Sequence, residues 1–268
     1  YLVRQQAYYD MRNAQGVVDD YHRAVDIYGG YYKPYLLAAR VFLIYDQHED
    51  AKQVMDRAIE NQVEFSDEMK LCHARLLRYL SGSEADRKKP MEILEALKEN
   101  ICSEDTDLED VSEIEYEIAF LHWDDDRVNE ALSHLSEAIR QNPSKCQYFM
   151  LRGEILRGKE DFEGALSAYK AAKEDYDETA GYYYGIGCCH EALGHEDLAF
   201  ENYLEAVKIH ESFRDVNEKL ADLCMERYKR SFDVREYKKA ISYIDRQVEL
   251  QESCYILVHR GLMHRAAM

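Results

Sequence analysis

The sequence is poor in the features that interrupt helices. It contains only three prolines, Pro34, Pro90 and Pro143, and each lies where a helix could begin. A proline is tolerated there because its missing N–H has no partner in the first helical turn. No stretch follows the two-residue alternation of a half-buried strand. The sequence therefore predicts an all-α protein of helices and turns.

Basic residues are scarce relative to acidic ones. There are 34 Lys and Arg against 53 Asp and Glu, which gives a formal net charge of −19. Binding to nucleic acid depends on clustered basic side chains, so we expect no nucleic-acid partner and no anionic membrane partner. A surface of this charge favours neutral or basic partners.

Motifs of catalysis, cofactor binding and metal binding are also missing. No glycine-rich phosphate loop or nucleophile elbow is present, so we predict no enzymatic activity and no cofactor. The cluster of Cys188, Cys189, His190 and His195 lacks the paired spacing of a zinc site, and we predict no metal. The 7 cysteines are irregularly spaced, which is typical of reduced thiols in a cytoplasmic protein.

What the sequence does contain is a repeat of 34 residues between Ser112 and Phe213. Four columns recur, three of small residues and one of larger residues. The small columns are Ala119, Gly153 and Gly187; Ala131, Ala165 and Ala199; and Ala138, Ala172 and Ala206, and the larger column is Leu135, Tyr169 and Tyr203. A fixed period of this length is typical of a solenoid built from stacked helix pairs.

If each unit starts at position 1, the small columns fall at positions 8, 20 and 27. This pattern resembles the tetratricopeptide repeat (TPR) family, and Pro143 at position 32 matches it too. The family's aromatic residue at position 4 is present as Phe149 and Tyr183, whereas Glu115 departs from it. The resemblance implies a right-handed superhelical solenoid of antiparallel helix pairs, with the first helix of each pair on the concave face.

The same columns extend over the rest of the chain. We predict one solenoid over residues 1–268, with units starting near residues 1, 32, 66, 112, 146, 180, 214 and 254. The units 66–111 and 214–253 are irregular. In the first, we expect the second helix at Met91–Asn100 and an acidic loop at Ser103–Asp110. In the second, extra residues around Arg230–Val234 lengthen either the turn or the first helix.

The chain opens at Tyr1 rather than methionine, and its last helix, Tyr255–Arg265, has no predicted partner helix. Both features indicate a fragment of a longer chain. An alternative explanation of the last helix is self-association, in which it docks on the open end of a second copy.

The resemblance implies a ligand groove lined by positions 2, 5, 6, 9, 12 and 13 of the first helices. The groove residues that we predict are Leu37, Arg40, Lys70, Leu77, Tyr116, Phe120, Trp123, Met150, Glu154, Tyr184, Glu191, Glu218 and Asp222. Large exposed apolar patches usually mark binding surfaces, and tryptophan is a preferred anchor. The alternative is that these residues pack against neighbouring units.

We therefore expect a non-catalytic scaffold or adaptor that binds a partner peptide or helix with apolar anchors and basic residues. The alternative is a repeat region that positions substrates for a larger enzyme, co-chaperone or regulator. The Lys and Asn pair by which some family members clamp chaperone tails is absent from positions 5 and 9.

Overall fold

The computed structural model describes residues 2–11, 13–101, 110–176, 179–251 and 253–267. Within these ranges the chain forms fifteen α-helices and no strand, so the predicted all-α fold class is confirmed. The helices group into two compact units, Tyr1–Asn142 and Pro143–Met268, which we call unit 1 and unit 2. The prediction of one solenoid over the whole chain stays a prediction.

Unit 1 contains eight helices in its described residues. They are α1 (Leu2–Asp10), α2 (Ala14–Ile27), α3 (Tyr32–Ile44), α4 (His48–Glu60), α5 (Asp67–Leu80), α6 (Glu84–Ile101), α7 (Ser112–Asp124) and α8 (Val128–Gln141). Consecutive helices form hairpins, and each hairpin also packs on the next. The small residues Ala39, Ala51 and Ala58 are fully buried in the α3–α4 core beside Met55, as the repeat pattern predicts.

The irregular unit 66–111 differs from the prediction at its second helix. That helix, α6, begins at Glu84 rather than at Met91, and Pro90 lies inside it. The helix starts early because residues 84–89 are mostly good helix formers, and the Ser83 hydroxyl donates to the Asp86 carboxylate in its first turn. Proline removes one backbone donor there, but the helix continues. Stacking continues as well, since α7 packs on both α5 and α6.

The acidic loop predicted at Ser103–Asp110 lies outside the described residues except for Asp110. The Asp110 carboxylate accepts hydrogen bonds from the Ser112 backbone N–H at 3.1 Å and from the Asn142 side chain at 2.7 Å. It therefore connects the start of α7 to the end of α8.

Unit 2 contains seven helices in its described residues. They are α9 (Cys146–Gly158), α10 (Phe162–Tyr176), α11 (Ala180–Ala192), α12 (Glu196–Ile209), α13 (Val216–Ser231), α14 (Val234–Leu250) and α15 (Cys254–Ala266). The extra residues near Arg230 lengthen the first helix of their pair, because α13 has 16 residues whereas α9 and α11 have 13.

Glycines in unit 2 make room for tyrosine rings. A Cβ added to Gly153 would lie 2.6 Å from the Tyr169 ring, and one added to Gly187 would lie 2.6 Å from the Tyr203 ring. Both rings are fully buried between the helices of their hairpin. The small residue at position 8 therefore accommodates the large residue at position 24 of the same hairpin.

Candidate protein-binding surfaces

An aromatic surface lies on α5 and α7 in unit 1, formed by Arg78, Tyr79, Tyr116, Phe120 and Trp123. Tyr116, Phe120 and Trp123 recur at helical spacing, so they share one face of α7. The Phe120 ring centre lies 5.3 Å from that of Tyr116 and 5.7 Å from that of Trp123. The Arg78 guanidinium lies 4.2 Å from the ring centres of both Phe120 and Tyr79. Tyr79 is exposed, and the other three rings are half-buried.

A buried ion-pair network supports this surface. The Glu117 carboxylate on α7 accepts from Arg75 at 2.5 Å and from Arg78 at 2.9 Å, both on α5. Burial alone would raise the pKa of Glu117, but the two arginine charges outweigh burial and hold its pKa below the usual range. Arg75 also pairs with Glu113 at 3.1 Å. The network fixes Arg78, and Arg78 in turn lies between two of the aromatic rings.

The other predicted groove residues of unit 1 are less available to a ligand. Leu37 is 1% exposed and packs against Val17 and Val41, so it belongs to the core and we leave it out of the surface. Leu77 is half-buried on α5. Arg40 and Lys70 pair with acidic side chains of their own unit, Arg40 with Glu68 at 3.8 Å and Lys70 with Asp67 at 2.8 Å.

In unit 2 the predicted carboxylates are held by tyrosine hydroxyls. Tyr169 donates to Glu154 at 2.8 Å, and Tyr203 donates to Glu191 at 2.6 Å. Burial, and then the neighbouring carboxylate, raise the pKa of Tyr169, so its hydroxyl stays protonated and able to donate. These two tyrosines are the residues that the position-8 glycines accommodate. Each ring thus crosses the hairpin and fixes an acid on the first helix.

Two more predicted residues of unit 2 are packing residues. Tyr184 is buried between the Tyr203 and Phe213 rings, and its hydroxyl donates to Asp215 at 2.6 Å. It is therefore not accessible to a ligand. Met150 is half-buried and packs against the core around Tyr169. Both support the packing alternative at their own positions.

The remaining two acids, Glu218 and Asp222 on α13, contact His259 on α15. The His259 ring nitrogens lie 2.9 Å from Glu218 and 2.9 Å from Asp222. We call Glu154, Glu191, Glu218 and Asp222 the acidic side chains of unit 2. The sequence prediction missed His259, although a signal existed. His259 is position 6 of the last unit, one of the positions that the resemblance assigns to the groove.

The cysteine and histidine cluster does not assemble as a set of ligands. Cys189 is fully buried, Cys188 faces the Tyr203 hydroxyl, and His190 and His195 contact each other at 3.4 Å. Among the described residues, none of the helices is long and apolar enough to cross a membrane.

Comparison with known proteins finds the same helical-repeat architecture in other proteins. The tetratricopeptide repeat model matches residues 180–212, which contain α11 and α12. A chain of the APC/C hetero-tetramer Cut9–Hcn1 is similar at a TM-score of 0.75 and 11% identity, covering 100% of this chain and 49% of that one. The chain has the fold of tetratricopeptide-repeat proteins, and residues 180–212 match the repeat itself.

Two bacterial structures share the tetratricopeptide fold more loosely. The C-terminal part of a TPR repeat-containing protein from Cytophaga hutchinsonii has a TM-score of 0.53 at 9% identity, covering 96% of this chain and 98% of that one. MamA from Desulfovibrio magneticus RS-1, from residue 41 to its end, has a TM-score of 0.50 at 18% identity, covering 67% and 97%.

No curated protein sequence matches the chain significantly. The chain spans about half the length of the chain that it matches in Cut9–Hcn1. Repeats of this type generally mediate protein–protein interactions.

Proposed function

We propose that the chain is a non-catalytic scaffold that binds a peptide or helix of a partner protein through the aromatic surface of unit 1. The observation that carries this proposal is the row of Tyr116, Phe120 and Trp123 along one face of α7. Aromatic side chains supply a large contact area with few rotatable bonds, which makes them effective anchors at interfaces.

The support beneath the row strengthens the proposal. Phe120 lies against Arg78, and Arg78 is held by the fully buried Glu117. An anchor whose neighbours are already fixed loses less conformational entropy when a ligand binds. The residues of this surface are therefore arranged to bind an apolar side chain without first reorganising.

The acidic side chains of unit 2 suit a second contact, with basic residues of the partner. Glu191 is paired with Lys219 at 3.2 Å, and Glu218 and Asp222 are each paired with His259 at 2.9 Å. We infer that partners carry Lys or Arg as well as apolar anchors, which agrees with the net charge of −19.

The test is a quantitative pull-down from an extract of the source cells. Phe120→Ala with Trp123→Ala removes two rings from the surface, and we expect partner recovery to fall at least tenfold. Circular dichroism must first establish that the double variant is folded. Recovery equal to that of the wild type would exclude the aromatic surface as the binding site.

A matched control is available on α2 and the residue after it. Ile27 and Tyr28 are exposed to 72% and 69%, so Ile27→Ala with Tyr28→Ala removes a comparable exposed apolar area elsewhere in unit 1. We expect this control to recover partners normally. An equal loss in both double variants would indicate nonspecific hydrophobic capture.

A second candidate is a structural subunit of a multiprotein assembly, with catalysis located in another chain or another region. The similarity to a chain of the Cut9–Hcn1 hetero-tetramer at a TM-score of 0.75 favours it. Native mass spectrometry of complexes purified with the intact gene product distinguishes the two. A stable stoichiometric complex supports a subunit, and transient capture of one peptide supports an adaptor.

A further inference from the structure

Three side chains of α13 and α15 converge on one point. Glu218 and Asp222 are four residues apart, so they lie on one face of α13. The His259 Nδ1 lies 2.9 Å from Glu218 Oε1, and its Nε2 lies 2.9 Å from Asp222 Oδ1. One donor atom from each residue lies within 4.8 Å of the other two. Among the described residues, this is the one group of three such side chains.

The cluster is short of positive charge. A neutral imidazole carries one N–H, so it can donate to one carboxylate and not to both. Two carboxylates at this spacing repel each other. Glu218 and His259 are largely shielded from solvent, with side-chain exposures of 13% and 21%, whereas the Asp222 side chain is 46% exposed. Lys219, the basic residue beside Glu218, is paired with Glu191 at 3.2 Å.

Two carboxylate oxygens and one imidazole nitrogen form a donor set typical of zinc and related divalent ions. Tetrahedral coordination places donor atoms about 3.3 Å apart, and the present donors lie within 4.8 Å of one another, so the side chains must close around the ion. His259 would bind through one ring nitrogen and release the carboxylate that its other nitrogen contacts in the present structure.

We propose that Glu218, Asp222 and His259 bind one divalent transition-metal ion of the zinc class, with water completing its coordination. The ion neutralises the two carboxylates and fastens α15 to α13. This site is separate from the aromatic surface of unit 1, so failure of metal binding would leave the aromatic part of the proposed function untouched. A bound ion would withdraw Glu218 and Asp222 from contact with a basic partner.

The test uses the full chain, stripped with EDTA and titrated with ZnCl2 in a calorimeter. We expect one ion per chain, and a rise in Tm of a few degrees at a hundredfold excess of zinc over Kd. Co2+ is a second probe, because its visible absorption reports coordination directly. Hydrogen exchange should slow in α15 when metal is added.

His259→Asn and Asp222→Asn each remove one ligand, and we expect each to weaken zinc binding at least tenfold. The matched control is His264→Asn on the same helix, because His264 contacts the Tyr237 hydroxyl at 2.7 Å and no carboxylate of the cluster. A second control, Cys254→Ser, removes the exposed thiol at the start of α15. Both controls should bind zinc normally.

The two ligand variants keep the test valid if one of them does not fold. Unchanged affinity in a folded His259→Asn or Asp222→Asn variant would overturn the proposal. So would the absence of zinc and cobalt binding by the wild type at millimolar metal. In that case the three residues form only a clamp between an imidazolium and two carboxylates.

Discussion

The two units hold the carboxylates of their first helices in different ways. In unit 1, Glu117 is fully buried and paired with two arginines on α5, Arg75 and Arg78. In unit 2, Glu154 and Glu191 are half-buried and accept hydrogen bonds from the tyrosines of their own hairpins. Each of these two acids also has a basic partner, Arg157 at 2.8 Å for Glu154 and Lys219 at 3.2 Å for Glu191. What distinguishes unit 2 is therefore the tyrosine hydroxyl group that fixes each acid within its own hairpin.

The difference follows from one substitution pattern in the repeat. The hairpin of α7 and α8 has Ala119 at position 8 and Leu135 at position 24, whereas the next two hairpins have glycine and tyrosine. A leucine ends in the core, so it offers nothing to an acid on the first helix. A tyrosine continues through the core and ends in a hydroxyl group, and in these two hairpins its ring occupies the space beside the glycine at position 8.

The largest effect should come from breaking the buried network of unit 1. Glu117→Leu leaves Arg75 and Arg78 without this partner, and removing one partner of a buried ion pair typically costs about 3–5 kcal/mol. Urea unfolding followed by the fluorescence of Trp123, the single tryptophan, measures the loss within unit 1. Hydrogen exchange should show faster opening of α5 and α7.

The matched change in unit 2 is Glu191→Gln. It keeps an acceptor for Tyr203 and breaks only the partly exposed ion pair with Lys219, so we expect a loss of only about 1 kcal/mol, measured by hydrogen exchange in α11 and α12. Equal losses at Glu117 and Glu191 would contradict the distinction between the two units.

The next largest loss of stability should come from changing the residue pair at positions 8 and 24. Gly153→Ala places a Cβ against the Tyr169 ring, and we expect a loss of about 1–3 kcal/mol in spite of the better helix propensity of alanine. Adding Tyr169→Leu recreates the alanine and leucine pair of α7 and α8, and should recover much of that loss. A double-mutant cycle in urea measures the coupling between the two positions.

Gly158→Ala is the control for this cycle. A Cβ at Gly158 has nothing within 4 Å, so the substitution should leave stability equal or slightly higher. Additive effects of Gly153→Ala and Tyr169→Leu would show that the ring does not require the glycine.

These residues also show how far the sequence predicted the structure. The small columns and the 34-residue period predicted the hairpins correctly, because packing at positions 8, 20 and 27 depends on residue size, which the sequence states directly. The role of Gly153 could not be predicted, because the pairing of positions 8 and 24 becomes visible only when the Tyr169 ring is placed.

The start of α6 could not be predicted from Pro90. Proline is disfavoured inside helices, yet the helix-forming residues before it outweighed that preference. For the groove residues, the position in the repeat predicts which face of the helix a side chain lies on. It does not predict whether another part of the chain covers that face. Leu37 is covered by the neighbouring hairpin and Tyr184 by Phe213, and both contacts depend on residues distant in sequence. Whether the groove residues that remain bind a ligand stays a prediction.

Mild changes of pH should give the smallest effect, on the acid side for Glu117 of unit 1 and on the alkaline side for two tyrosines of unit 2. The pKa of Glu117 is lowered in the folded chain, so its contribution to stability is present above the unfolded pKa and declines as the pH falls. At pH 4 the unfolded carboxyl group begins to protonate, so unit 1 should begin to lose stability from this residue, by at most about 0.6 kcal/mol. Glu117→Gln should flatten the acid side of the stability profile.

The tyrosines of unit 2 respond to base instead. Burial and neighbouring acidic groups raise the pKa of Tyr169 and Tyr203, so their contribution is present below the unfolded pKa and declines as the pH rises. At pH 10 each should cost about 0.4 kcal/mol, because the unfolded phenol ionises while the folded one does not. Tyr169→Phe should remove its share of this alkaline loss. Hydrogen exchange across the pH range would contradict the comparison if Glu117→Gln changed the alkaline side, or if Tyr169→Phe changed the acid side.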